Sequence, residues 1–308
     1  MADWGLLAIR FALYADLMLL VGLSAFPLYS LTSAEREANA IPPLASRLKL
    51  LAILGLLLSA IGFLVSSAAM MGIPISDLDG AMLVTMVSET DVGIALMVRL
   101  AVLAAVVVGL FVIKQSQIGK FALSLVGGSI AIATLIWSGH AGANEGALGT
   151  AHRISDIAHL IAAALWIGGI TAFALLLRPR VKDSDAAQVS LVARALARFA
   201  SVGTASIAII VLTGVVNGYA IFGSNVAALV GSTYGMLLIF KVGLVGVMLV
   251  LAANNRWRLT PALERASDDD GVSAAWTGLR RSVALEAAAG VGILLLVAWL
   301  GMIDPSSG

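Results

Sequence analysis

The chain has 308 residues, of which 60% are hydrophobic and 12% charged, with a formal net charge of +1 and a mean hydropathy of +1.01. Soluble domains carry roughly 25% charged residues, so a water-soluble core is excluded and the chain reads as an integral membrane protein. It has no cysteine, which excludes disulfides, thiolate metal sites and covalently attached c-type haem and leaves any metal to histidine, methionine, carboxylate or backbone oxygen.

A helix needs about 20 apolar residues to cross the hydrocarbon core. Eight runs meet that length: 4–31, 48–72, 92–113, 119–138, 152–177, 197–222, 232–254 and 282–303. The first lacks a basic flank and is too long for the apolar region of a cleaved signal peptide, so it is expected to remain as the first span. The runs are continuous and rich in Leu and Ala, without the period-two alternation of barrel strands. The longest loop, around 255–281, carries Asp268-Asp269-Asp270 and is expected to be solvated. The expected fold is all-α: a polytopic bundle of eight transmembrane helices forming a single integral membrane domain over 1–308.

Fifteen of the 19 basic residues fall in alternate loops. Arg36, Arg47 and Lys49 follow span one; Lys114 and Lys120 follow span three; Arg178, Arg180, Lys182, Arg194 and Arg198 follow span five; Arg256, Arg258, Arg265, Arg280 and Arg281 follow span seven. The positive-inside rule makes these loops cytoplasmic. Both termini then face outward, and so does the histidine cluster.

Ionisable residues inside spans are costly and mark function or pairing. Arg10 and Arg99 lie near the outer ends of their spans, where long side chains snorkel, and Asp16 has either arginine as a potential partner. Lys241 is too deep in span seven to snorkel easily, and Glu286 or Asp16 is its candidate counter-charge. Glu286 stands at the inner end of span eight. Asp16, Lys241 and Glu286 are the candidate charges of a transport path or gate.

The three histidines, His140, His152 and His159, fall within one short outer stretch. His152, Asp156 and His159 are spaced i, i+4 and i+7, which puts them on one helix face. Seven residues rise about 10 Å, so the two histidines do not share one ion directly, whereas Asp156 reaches either. His140, at the outer end of span four, completes a site from a second helix. The plainer reading keeps all three as interfacial histidines bonded to backbone or water. Met70 and Met71, at the outer end of span two, add soft thioether donors that favour Cu(I), against the ordinary use of methionine as filler.

From Trp137 onward the chain resembles the copper resistance protein D family. The residues that carry the resemblance are Trp137-Ser138-Gly139-His140, His159 with Ala164-Leu165-Trp166-Ile167-Gly168-Gly169, Arg198-Phe199-Ala200, Leu212-Thr213-Gly214-Val215, Thr233-Tyr234-Gly235 with Leu238 and Lys241, Asn255-Arg256 with Pro261, and Arg281-Ser282-Val283 with Glu286. The resemblance implies an inner-membrane copper protein, with His140 and His159 among its metal residues and a separate CopC-like periplasmic protein as copper donor. It implies import of copper toward the cytoplasm, as Cu(I) or Cu(II), without enzymatic activity. No P-loop is present, and no nucleic-acid partner is expected. Two alternatives stand beside it: a b-type haem electron carrier or cupric reductase, since bundles hold haem between histidines of facing helices, and a membrane docking protein without metal.

Overall fold

The computed structural model describes residues 4–41, 43–138, 146–178, 186–223, 226–266 and 269–303, which contain helices and no strand. In chain order the helices are α1 (Trp4–Ser30), α2 (Ser33–Glu37), α3 (Leu44–Met71), α4 (Gly80–Glu89), α5 (Asp91–Val112), α6 (Gln117–Ala133), α7 (Gly146–Leu176), α8 (Ala186–Phe222), α9 (Val226–Gly231), α10 (Thr233–Asn254), α11 (Thr260–Arg265) and α12 (Asp269–Leu300). Eight of them, α1, α3, α5, α6, α7, α8, α10 and α12, are long and apolar enough to cross a membrane.

α1 is the central helix, packed against α3, α6, α7, α8 and α12. Its second half is almost wholly buried, with Leu17, Leu20, Val21 and Phe26 fully enclosed. The crossing with α7 depends on two glycines. A Cβ on Gly22 would lie 2.1 Å from the Ala164 carbonyl oxygen, and one on Gly168 would lie 2.2 Å from the Gly22 Cα. Small residues permit this backbone-on-backbone approach, which is how membrane helices gain packing without a hydrophobic driving force. Toward the end of the bundle that carries the basic loops, Phe26, Phe173 and Phe199 meet edge to face, with ring centroids 5.1 and 5.4 Å apart.

Several connections are capped rather than loose. Thr32 and Glu35 form a reciprocal capping box at α2, and Arg194 on α8 donates to Glu35 at 2.5 Å. Burial alone would raise the Glu35 carboxyl, but bonds from the Thr32 backbone and from Arg194 outweigh it and hold the group below its ordinary value. The Asp79 side chain caps α4 by accepting from the Met82 amide at 2.7 Å, and Thr90 caps α5 through the Gly93 amide. α4 is absent from the sequence expectation because ten apolar residues are too few to span.

The segment 255–281 is not the solvated loop expected. It holds a π-helical turn (Asn255–Leu259), α11 and the start of α12, and Leu263, Ala275, Trp276 and Leu279 are buried. An amphipathic helix outside the hydrocarbon has too many charges to register as an apolar run. The same applies to α8, which begins at Ala186 rather than 197 because Leu191, Val192 and Ala195 pack into the core. Asp268 lies outside the described residues.

Arg99 does not snorkel. It is 5% exposed, and its guanidinium donates from Nε to the Thr134 hydroxyl at 2.6 Å and from Nη2 to the Thr134 carbonyl at 3.3 Å. A 3-10 turn, Thr134–Ser138, follows α6 and presents these oxygens.

Candidate functional site

A cavity of about 430 Å³ opens between α1, α7, α8, α10 and α12 in the half of the bundle away from the basic loops. Its walls are largely apolar, from Leu160, Ile167, Val211, Val215, Leu238, Val242 and Ile293. Its polar groups come from four helices: Arg10 and Tyr14 on α1, His152, Asp156 and His159 on α7, Asn217 on α8, and Tyr234 and Lys241 on α10. The helix spacing therefore does what the sequence predicts for the α7 trio, bringing all three side chains into one space. His140 lies outside the described residues.

His159 is held by α8. Its Nδ1 lies 2.9 Å from the Thr213 hydroxyl, and that hydroxyl donates its own proton to the Ile209 carbonyl at 2.5 Å. A hydroxyl has one proton, so it is a Thr213 lone pair that faces the ring. A lone pair facing the ring favours the tautomer with its proton on Nδ1, which would leave the Nε2 lone pair for a ligand. This is the arrangement by which an outer partner fixes the tautomer of a metal-binding histidine.

Asp156 sits among donors and cations. Its Oδ1 accepts from Asn217 Nδ2 at 3.1 Å, and it is the only carboxylate lining the cavity among the described residues. Lys241 projects into the same space and feels Asp156 as its counter-charge. The sequence-level pairing of Lys241 with Glu286 or Asp16 is thus corrected: Glu286 accepts from Asn255, and Asp16 points away. Tyr14 and Met18 line the cavity, whereas Asp16, midway between them, lies on the opposite face of α1 against Gly55 of α3. Neither Asp16 oxygen has a hydrogen-bond partner among the described residues, so the expected pairing with Arg10 or Arg99 does not form.

Met70 and Met71 do not line the cavity; Met70, at the end of α3, is 70% exposed. The methionines that do are Met18 and Met248, both buried, on α1 and α10. Sequence reasoning passed over them because a buried methionine in an apolar run looks like any other filler. Asn217 was also missed, although an amide one helical turn beyond Thr213 in an otherwise apolar run was a usable signal.

Two family models match the chain: copper resistance protein D-like, N-terminal domain, over residues 1–150, and copper resistance protein D over 193–300. The stretch with His152, Asp156 and His159 falls between the two matches. Copper resistance protein D of Pseudomonas syringae pv. tomato is 40% identical over 307 residues, 97% of this chain and 96% of that one. Inner membrane protein YebZ of Escherichia coli (strain K12) is 27% identical over 300 residues, covering 97% and 98%. Copper transport protein CutJ of Bacillus subtilis (strain 168) is 31% identical over 162 residues, 53% of this chain and 27% of that protein. No solved structure matches the chain.

Proposed function

The chain belongs to the copper resistance protein D family, and from that premise we propose that it captures copper in the α7–α8–α10 cavity and passes it toward the side of the basic loops. It is a multi-pass inner-membrane protein. With the basic loops in the cytoplasm, as the positive-inside rule expects, the cavity opens to the periplasm, which supports import as the direction. A separate periplasmic copper-binding protein of the CopC type is the donor that suits this arrangement, and no chemical step beyond binding and release is assigned.

The single observation that carries the reading is the convergence of His152, Asp156 and His159 on one cavity. Neutral imidazole suits copper in either oxidation state, and the thioethers of Met18 and Met248 further along the wall suit the reduced ion. Lys241 acts as a gate. An arriving cation competes with its ammonium for Asp156, and once displaced the ammonium repels the cation until it moves on. Of the two histidine pairs a haem could use, His152 with His159 receives less support, because two axial imidazoles belong on facing helices and both lie on α7; His140, the other partner for His159, lies outside the described residues.

The test is copper retention by the purified, copper-loaded and washed protein. The wild type is expected to retain copper and the His152→Ala/His159→Ala double variant to lose it. Thr213→Val, which removes the partner of Nδ1, is expected to weaken copper affinity about 10–100-fold, as outer-shell changes at metal sites do. Equal retention by all three proteins rejects this site.

A further inference from the structure

A second polar cluster lies beyond the cavity floor, toward the basic end. Gly290 is a lining residue of α12, and one helical turn further along that helix is Glu286, 3% exposed. Glu286 accepts a hydrogen bond from Asn255 Nδ2. Asn255 is the first residue of the π-helical turn that ends α10, and π turns inside helices are rare and concentrate at functional positions.

The contacts between these antiparallel segments set their register. A Cβ on Gly292 would meet Leu244 at 3.1 Å, and one on Gly278 would meet Leu259 at 3.1 Å. Carrying that register between the two places Ser282 opposite Asn255, one turn from Glu286 on the same face of α12. Ser282 is 5% exposed, and its hydroxyl has no partner among the described residues; the Asn255 Oδ1 is likewise buried and unpartnered. The neighbouring Arg256 guanidinium is engaged elsewhere, donating to the Thr204 hydroxyl on α8 at 2.7 Å.

An amide oxygen, a hydroxyl oxygen and a carboxylate therefore lie within about one helical turn of one another, and no cationic side chain among the described residues is bonded to any of them. Buried polar oxygens left unpaired cost free energy. All three are hard donors, which disfavour copper and favour alkali and alkaline-earth cations. One carboxylate balances one positive charge. We propose that Asn255, Ser282 and Glu286 form a binding site for a monovalent alkali cation of the sodium class, separate from the copper cavity and next to its floor.

The test needs no copper. Thermal unfolding of the full-length purified protein is measured in sodium, potassium and choline chloride at equal ionic strength, because a ligand that binds only the native state raises its stability with concentration. The wild type is expected to gain several degrees in Tm as sodium replaces choline. Glu286→Gln and Ser282→Ala are expected to lose that gain, and Ser282→Ala keeps the carboxylate in case Glu286→Gln does not fold. An equal Tm in all three salts overturns the site, as does a sodium gain that both variants retain. A Tm that follows pH but not the cation overturns it in favour of a protonated Glu286.

Discussion

Gly22→Ala and Gly168→Ala are each expected to keep α1 and α7 from docking and to abolish the folded protein in detergent. One added methyl group has unusual leverage here because of what it meets. At Gly22 the nearest atoms are the Ala164 carbonyl oxygen at 2.1 Å and the Gly168 Cα at 2.5 Å, and at Gly168 they are the Cα and carbonyl carbon of Gly22 at 2.2 and 2.3 Å. These are backbone atoms, which no rotamer change can move. Overpacking against side chains costs typically about 1–3 kcal/mol, and this substitution exceeds that because the helices themselves must separate. α1 contacts five other membrane helices, so the separation does not stay local. Gly169→Ala is expected to do less damage, since its obstacle is the Phe199 ring at 2.2 Å, which swings. Gly218→Ala, with nothing within 4 Å, is the neutral control. Size-exclusion profiles and thermal unfolding of the four variants rank them. A Gly22→Ala protein as stable as Gly218→Ala contradicts the close crossing.

The glycines also show what the sequence does and does not disclose. That the chain packs through small residues is legible from Gly168-Gly169 in an apolar run, but the partner of Gly168 is not, because the choice of neighbour is tertiary. The spans themselves are legible because the hydrocarbon core demands a length and a composition that few other structures need. The helical segments outside it, the start of α8 and the stretch from Asn255 onward, are not, since there a charged amphipathic helix and a solvated loop have similar composition. The site divides the same way. Spacing on one helix puts His152, Asp156 and His159 on a common face, and the same rule turns Asp16 away from Tyr14 and Met18, a consequence that depth arguments alone overlook. Which carboxylate Lys241 faces depends on how α7 and α10 are arranged around the cavity, and no periodicity within either helix encodes that.

Asp156 and Lys241 invite the sharpest separation of stability from function. Asp156→Asn leaves Lys241 with Arg10 in a largely apolar cavity and no carboxylate lining it. Lys241→Met takes the Lys241 ammonium away from Asp156, whose Oδ1 keeps the bond from Asn217. Two opposite charges that share a largely apolar cavity offset each other, so removing one of them costs more than removing both. Each single variant is therefore expected to unfold at lower temperature than the wild type, and the double variant to recover most of the loss, with a coupling energy of about 1–3 kcal/mol in the double-mutant cycle. Copper behaves differently. Asp156→Asn removes the carboxylate of the proposed capture site, so the double variant is expected to fold and still fail to retain copper, whereas Lys241→Met, which frees that carboxylate from the ammonium, is expected to retain it at least as well as the wild type. Thermal unfolding and equilibrium dialysis with copper on the same four proteins give both readouts. Additive destabilisation would break the pair, and full copper retention by the double variant would remove Asp156 from the capture site while leaving His152 and His159 in it.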